Sequence, residues 1–186
     1  MCKFLSAICF KNGDVICSTS IDSHEILIET NGLKDGKSRN WVRAEYCPDK
    51  PDDFTDISKY KFHLDDSDFD WITDELREKW IRKFNVRLKK IIITDDRNYL
   101  PTGDYILGNI TIDRLTYGRI VYAGNATIED AGYATIKNAG YATIENAGHA
   151  TIEDAGYATI EDAGHATIGN AGYATIINKN KAKITK

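Results

Sequence analysis

From Ala123 to Asn178 the polar and apolar positions recur every eight residues, in seven copies of A-G-(Y/H/N)-A-T-I-x-(D/N). Inside Y-A-T-I-E the side chains alternate polar, small apolar, polar, large apolar, polar, which is the period of a strand with one buried face. Thr and Ile are β-branched and Tyr is aromatic, all favoured on a pleated surface. The (D/N)-A-G that follows predicts a corner, because Asp or Asn bonds its own backbone and Gly accepts a positive φ. One octad is therefore one strand and one turn. It cannot bury its Ile alone, but stacked copies would form continuous Ile and Ala ladders. The phase extends outward: residues 107–114 keep Gly108, Thr111 and Ile112, residues 115–122 keep Tyr117 and Ile120, and residues 179–186 keep Ala182 and Ile184. Ten octads thus run from Leu107 to Lys186, with atypical outer copies, as capping repeats require.

The third octad position predicts how many strands make one coil. Every second octad places Asn109, Asn125, Tyr141, Tyr157 and Tyr173 there, and the remaining octads place Tyr117, Tyr133, His149, His165 and Lys181. Residues resemble their neighbours within such a column more than their neighbours along the chain. That pattern predicts two octads per coil, with like residues stacked, although duplication of a sixteen-residue unit would leave the same trace. Five coils spaced about 4.8 Å apart would give a rod of roughly 24 Å. An antiparallel meander is the competing arrangement, since three-residue turns also make hairpins. Near-identical repeats favour in-register stacking.

The first hundred residues follow no repeat. Lys3 to Phe10 reads as an apolar strand, Lys11-Asn12-Gly13-Asp14 carries an Asn-Gly hairpin signal, and Val15 to Ser18 returns. Asp22-Ser23 can cap a short helix over His24 to Thr30 that stops near Asn31-Gly32. Trp41 to Cys47 and Lys59 to Leu64 read as strands, separated by an acidic loop from Pro48 to Asp56. From about Asp68 to Ile93 an apolar stripe at helical spacing, Ile72, Leu76, Trp80, Phe84 and Leu88, predicts one long helix with acids early and bases late. Thr94 to Asn98 would be its exit. The expected architecture is an α+β N-terminal domain, residues 1–98, a linker, residues 99–106, and an all-β octapeptide-repeat β-solenoid, residues 107–186.

Composition narrows the function classes. The 186 residues are 42% hydrophobic and 28% charged, enough for a folded core, and the net charge of −4 argues against direct nucleic-acid binding through one broad basic face. No stretch approaches the ~18 apolar residues of a membrane helix, and Met1-Cys2-Lys3-Phe4 opens no signal peptide, so no membrane partner and a cytoplasmic location are expected. Cys2, Cys9, Cys17 and Cys47 match no zinc spacing and read as reduced, mostly buried thiols.

Candidate chemistry is sparse. Removal of Met1 would leave Cys2 with a thiol and a free amine, the arrangement of N-terminal-nucleophile hydrolases, with His24 and Glu25 as candidate partners. The Met-Cys opening resembles that of class II amidotransferases, but Lys3 stands where those proteins have Gly. His149 and His165 would stack in adjacent coils; two imidazoles without a nearby carboxylate or thiolate make a poor metal site, so they read as members of the aromatic ladder. No metal or cofactor is expected. Asp113, Glu129, Glu145 and Glu161 share the seventh octad position in one column, and the eighth position adds Asp130 and Asp162. Residues 107–178 carry eight acids against three bases, while the tail from Lys179 to Lys186 carries four lysines. Stacked carboxylates repel, so an acidic stripe points either to a solvated edge or to a basic partner. Calcium in the turns, as in nonapeptide β-rolls, would need more glycines than the single one in each octad. The Thr rows resemble ice-binding arrays, but a bulky ring beside each Thr spoils a flat Thr face. Rows of exposed Tyr133, Tyr141, Tyr157 and Tyr173 suit protein contact, since Tyr brings area at little entropic cost.

The octads from 123 to 178 resemble the short-period solenoid repeats of uncharacterised phage and gut-bacterial proteins, which often place a small α+β domain first. They are also loosely similar to pentapeptide-repeat proteins, some of which mimic DNA, although the period here is eight. The resemblance implies a layout and carries over no catalytic residue. The expected function is non-enzymatic: a macromolecular binding protein whose Tyr and acidic ladders meet a protein partner. Inhibition of a host nucleic-acid-handling protein, by mimicry or direct blocking, is its specific form. The rod could also self-associate through edges or ends. A Cys2 hydrolase and a structural spacer are the alternatives.

Overall fold

A computed structural model describes residues 5–19, 23–36, 38–50, 53–66 and 69–185. The chain divides into two compact units, residues 1–90 and 91–186.

The first unit is an antiparallel sheet with a helix against each face. Its strands β1 (Ser6–Phe10), β2 (Val15–Cys17), β3 (Trp41–Pro48) and β4 (Tyr60–Leu64) lie in the order β2-β1-β3-β4. The hairpin between β1 and β2 closes where Phe10 N–H donates to Asp14 O at 2.9 Å and Gly13 N–H to Phe10 O at 2.8 Å, with Gly13 at φ 88°. The Asn-Gly signal therefore produces a three-residue loop with Gly in the left-handed position. Helix α1 (His24–Thr30) starts where the expected cap lies, with Ser23 accepting from Ile26 N–H. It packs Leu27 on Ile8 and Trp41. Helix α2 (Asp74–Ile91) buries Trp80, Phe84 and Leu88. It meets the opposite face of the sheet, where Tyr46 stacks on Phe84 at 5.1 Å and Phe62 lies 6.0 Å from Trp80.

The helix begins six residues later than its apolar stripe suggests. Thr73 accepts from Leu76 N–H through its hydroxyl at 3.2 Å, and this cap makes Asp74 the first helical residue. Trp71 stays outside the helix and packs edge-on against Trp80.

His24 is buried. Its Nε2 donates to Ala44 O at 3.0 Å, and its Nδ1 lies 3.2 Å from Asp65 Oδ2. It thereby pins the start of α1 to the middle of β3. Burial holds the Asp65 carboxyl above its ordinary range, opposed by His24 and reinforced by Glu45 and Asp66. His24→Ala would remove the side-chain bond that ties α1 to Ala44 O and empty a buried volume, so urea unfolding should show a loss of about 2–3 kcal/mol. Cys9 and Cys47 are buried cysteines and Cys17 is half-buried; burial, the larger cause at each, raises the Cys17 thiol and pushes the Cys9 thiol well above the usual range.

The second unit is a β-solenoid with two strands per coil. One parallel sheet stacks seven strands: β5 (Ile92–Ile93), β6 (Asp104–Leu107), β8 (Arg119–Tyr122), β10 (Thr135–Asn138), β12 (Thr151–Asp154), β14 (Thr167–Asn170) and β16 (Lys183–Ile184). The other stacks five: β7 (Thr111–Arg114), β9 (Thr127–Asp130), β11 (Thr143–Asn146), β13 (Thr159–Asp162) and β15 (Thr175–Asn178). Pairs such as Ile144↔Ile160 and Ile136↔Ile152 are parallel and sixteen residues apart. This excludes the antiparallel meander. Between the sheets, Ile128, Ile136, Ile144, Ile152, Ile160 and Ile168 and the two Ala of each octad from 123 to 170 are wholly buried, while Ala171, Ala174 and Ile176 in the next octad are partly buried.

The solenoid starts earlier than the octad phase shows. Residues 91–98 and 99–106, expected as the end of the head domain and a linker, form its first coil: β5 pairs with β6, Arg97 bridges to Ile112 and Leu100 to Leu115. The spacings here are fourteen and fifteen residues, and a shift at Tyr105/Ile106 brings the chain to sixteen. An eight-residue search misses this coil because its corners are irregular while its strands still pair.

The corners explain the octad. Ala131-Gly132-Tyr133-Ala134 closes with Ala134 N–H donating to Ala131 O at 2.9 Å, and Gly132 has φ 55°. Asp130 Oδ1 accepts from Gly132 N–H at 2.9 Å, and each later Asp or Asn from 138 to 170 does the same for the Gly two residues on. Coils are tied where the ring residue donates to the glycine below it, as Tyr141 N–H does to Gly124 O at 2.8 Å. A Cβ on Gly140 would stand 2.9 Å from that same oxygen, so the position needs glycine for both its φ and its space.

Candidate functional site

Three kinds of ladder line the outside of the solenoid. On the five-stranded face, the parallel register puts Asp113, Glu129, Glu145 and Glu161 in one column, ending at Ile177, which is 67% exposed. All four carboxylates are exposed, and none is ion-paired among the described residues. In water, unit charges about 4.8 Å apart repel by about 1 kcal/mol before screening.

The eighth position behaves differently. Its columns read Arg114, Asp130, Asn146, Asp162, Asn178 and Asn138, Asp154, Asn170. After Arg114, acid and amide alternate at every step, so no two of these carboxylates are neighbours. They cannot splay apart, because each is held by a glycine N–H, and an interposed amide removes the repulsion. Arg114 Nε approaches Asp130 at 3.8 Å, and Asn170 and Asn180 donate to Asp154 and Asp162. Asp130 and Asp162 are thus corner caps that flank the acidic column. Asn146→Asp would stack three pinned carboxylates. Unfolding in urea should then show a loss of about 1–2 kcal/mol at low ionic strength that shrinks as salt is added.

At the corners the rings stack. Tyr117, Tyr133, His149 and His165 form one column, with centroids 5.4, 4.9 and 4.9 Å apart, and Tyr141, Tyr157 and Tyr173 form the other at 5.1 Å. The planes lie within 5–17° of parallel. The ring faces therefore cover one another, and what meets solvent is a row of ring edges and hydroxyls. Such edges suit carbonyls, carboxylates and the π-faces of a partner's aromatics better than intercalating bases, which need free ring faces. The planes of His149 and His165 differ by 14°, so their ring-nitrogen lone pairs run alongside one another and do not converge on a shared point. Among the described residues no group of three or more His, Cys, Asp or Glu could hold a metal ion.

Octad phase alone places these columns, but it does not reveal an open pocket at their N-terminal end, lined by Asn98, Tyr99, Asp113, Arg114, Glu129 and Asp130. The Asp-Arg and Glu-Asp pairs lie in octad phase and could have been found; Asn98 and Tyr99 lie in the irregular first coil and could not. Cys2, named with His24 and Glu25 as a catalytic alternative, lies outside the described residues. His24 is the buried donor to Ala44 O. Glu25 is exposed, with its carboxyl lowered by its own backbone N–H and by the Ser23 hydroxyl. No helix among the described residues is long and apolar enough to cross a membrane. The chain adopts the layout that its octads suggested, a small α+β unit followed by a short-period parallel β-solenoid. No family model matches the chain, and neither a curated protein nor a solved structure is significantly similar to it.

Proposed function

We propose that this is a non-enzymatic binding protein whose five-stranded solenoid face engages a basic surface on a protein partner. The observation that carries this reading is the contrast between the two acidic positions. At the corners, acid and amide alternate so that carboxylates never stack; on the strand face, Asp113, Glu129, Glu145 and Glu161 stack without relief. Their mutual repulsion contributes nothing to folding, whereas a line of unpaired carboxylates steers and orients a cationic partner. The adjoining ring edges add contact area that needs little ordering, since stacking already holds the rings in place.

Inhibition of a host nucleic-acid-handling protein by a phage or mobile-element product is the specific form we propose. Direct blocking is favoured over full mimicry of DNA. Duplex DNA carries one charge per about 1.7 Å of axis, and this column carries one per about 4.8 Å, a roughly threefold lower density. The test is capture from cell lysate by the intact chain beside Glu129→Lys/Glu145→Lys/Glu161→Lys. A basic partner should be retained by the wild type and weakened about tenfold or more in the triple variant. Equal retention by both would refute the reading.

A further inference from the structure

The outward side of α2 is the chemical complement of the acidic column. From Lys79 to Lys90 the helix carries six bases and no acid, and all six bases are exposed. Lys79 donates to Asn12 O at 2.8 Å, Lys83 pairs with Asp14 at 2.6 Å and Arg82 reaches Glu78 at 3.4 Å. Lys89 and Lys90 make no ion pair among the described residues. Lys79, Arg82, Lys83 and Val86 line a shallow open depression, and Val86 is 57% exposed within it.

We propose that this helix face docks the acidic column of a second copy of the chain, so that the protein self-associates through two unlike surfaces. The inference rests on the acidic column being a binding surface and adds a second occupant for it, another copy of the chain. Length and charge both match. At 1.5 Å rise per residue, Lys79 and Lys90 stand about 16 Å apart along the helix. The four carboxylates from Asp113 to Glu161 span about 14 Å at about 4.8 Å per rung. A helical turn of about 5.4 Å runs slightly ahead of each rung, and long Lys, Arg and Glu side chains absorb that difference. Ile177 extends the column with an exposed apolar side chain, as Val86 interrupts the basic stripe with another. Because the surfaces differ, the contact is heterologous and builds rings or open chains.

The experiment is sedimentation velocity on the intact chain across a concentration series, at low and at high ionic strength. The wild type should gain mass with concentration at low salt and return to monomer at high salt. Arg82→Glu/Lys89→Glu/Lys90→Glu and Glu129→Lys/Glu145→Lys/Glu161→Lys should each stay monomeric, with circular dichroism showing both folded. An equimolar mixture of the two should associate again, because each variant then supplies the charge the other lost. A wild type that is monomeric at every concentration overturns the proposal, as does association that either variant retains or a mixture that stays monomeric. Short duplex DNA, added to a monomeric wild type and released only by the helix variant, would assign the basic face to nucleic acid instead. Monomeric wild type with a lysate partner still lost from the column variant removes the self-docking alone; normal self-association with an unaffected lysate partner removes the external partner alone.

Discussion

Gly156→Val is expected to lower the thermal midpoint of the solenoid by more than about 10 °C, a loss of about 3 kcal/mol. Gly156 sits at φ 56°, where an L-residue costs about 1–2 kcal/mol and a β-branched one more. A Cβ there would stand 2.9 Å from Gly140 O. That oxygen cannot move away, because it accepts Tyr157 N–H at 2.8 Å in the bond that ties one coil to the next. The variant must therefore push neighbouring coils apart or twist the corner. Gly36→Val is the control, since a Cβ at Gly36 meets nothing within 4 Å. If both variants melt with the wild type by circular dichroism, the stacked glycines are not what holds the coils in register.

The second large effect is expected at the core. Ile144→Ala should cost about 2–5 kcal/mol in urea unfolding, because Ile144 is wholly buried between Ile128 and Ile160. A solenoid is nearly one-dimensional, and each coil is stabilised only by its neighbours. The cavity therefore weakens two coil interfaces at once, with no distant contact to compensate. Ile177→Ala, at the exposed end of the acidic column, should change stability by less than about 0.5 kcal/mol. Equal effects at 144 and 177 would mean that the two sheets do not enclose a common Ile core.

Much of this fold is legible along the chain because each octad is surrounded by copies of itself. The pairing of Thr143 with Thr127 and Thr159, the ring columns and the acidic column all follow once sixteen residues make a coil. The short helix from His24 was readable for a similar reason: its cap, Ser23, lies within one turn of the bond it makes. The start of α2 was not, because a residue inside the expected helix, Thr73, caps a later start, and apolar spacing does not reveal which of several residues will cap.

The sequence alone determined the repeat, its strand-and-corner unit and the recurrence of like residues every sixteen positions. These are short-range consequences of alternation, β-branching and glycine. The parallel pairing of the tertiary structure decided that two strands make one coil and that the strands do not form an antiparallel meander. Only the tertiary structure decided that the solenoid begins at residues 91–98, because irregular corners hide strands that pair across fourteen or fifteen residues. It also decided that the ring faces are covered and that the corner carboxylates are anchored while the strand-face carboxylates stand free. Which atoms of a repeated residue remain exposed depends on what its own copy one coil away covers, and that distance exists only once the coils are stacked.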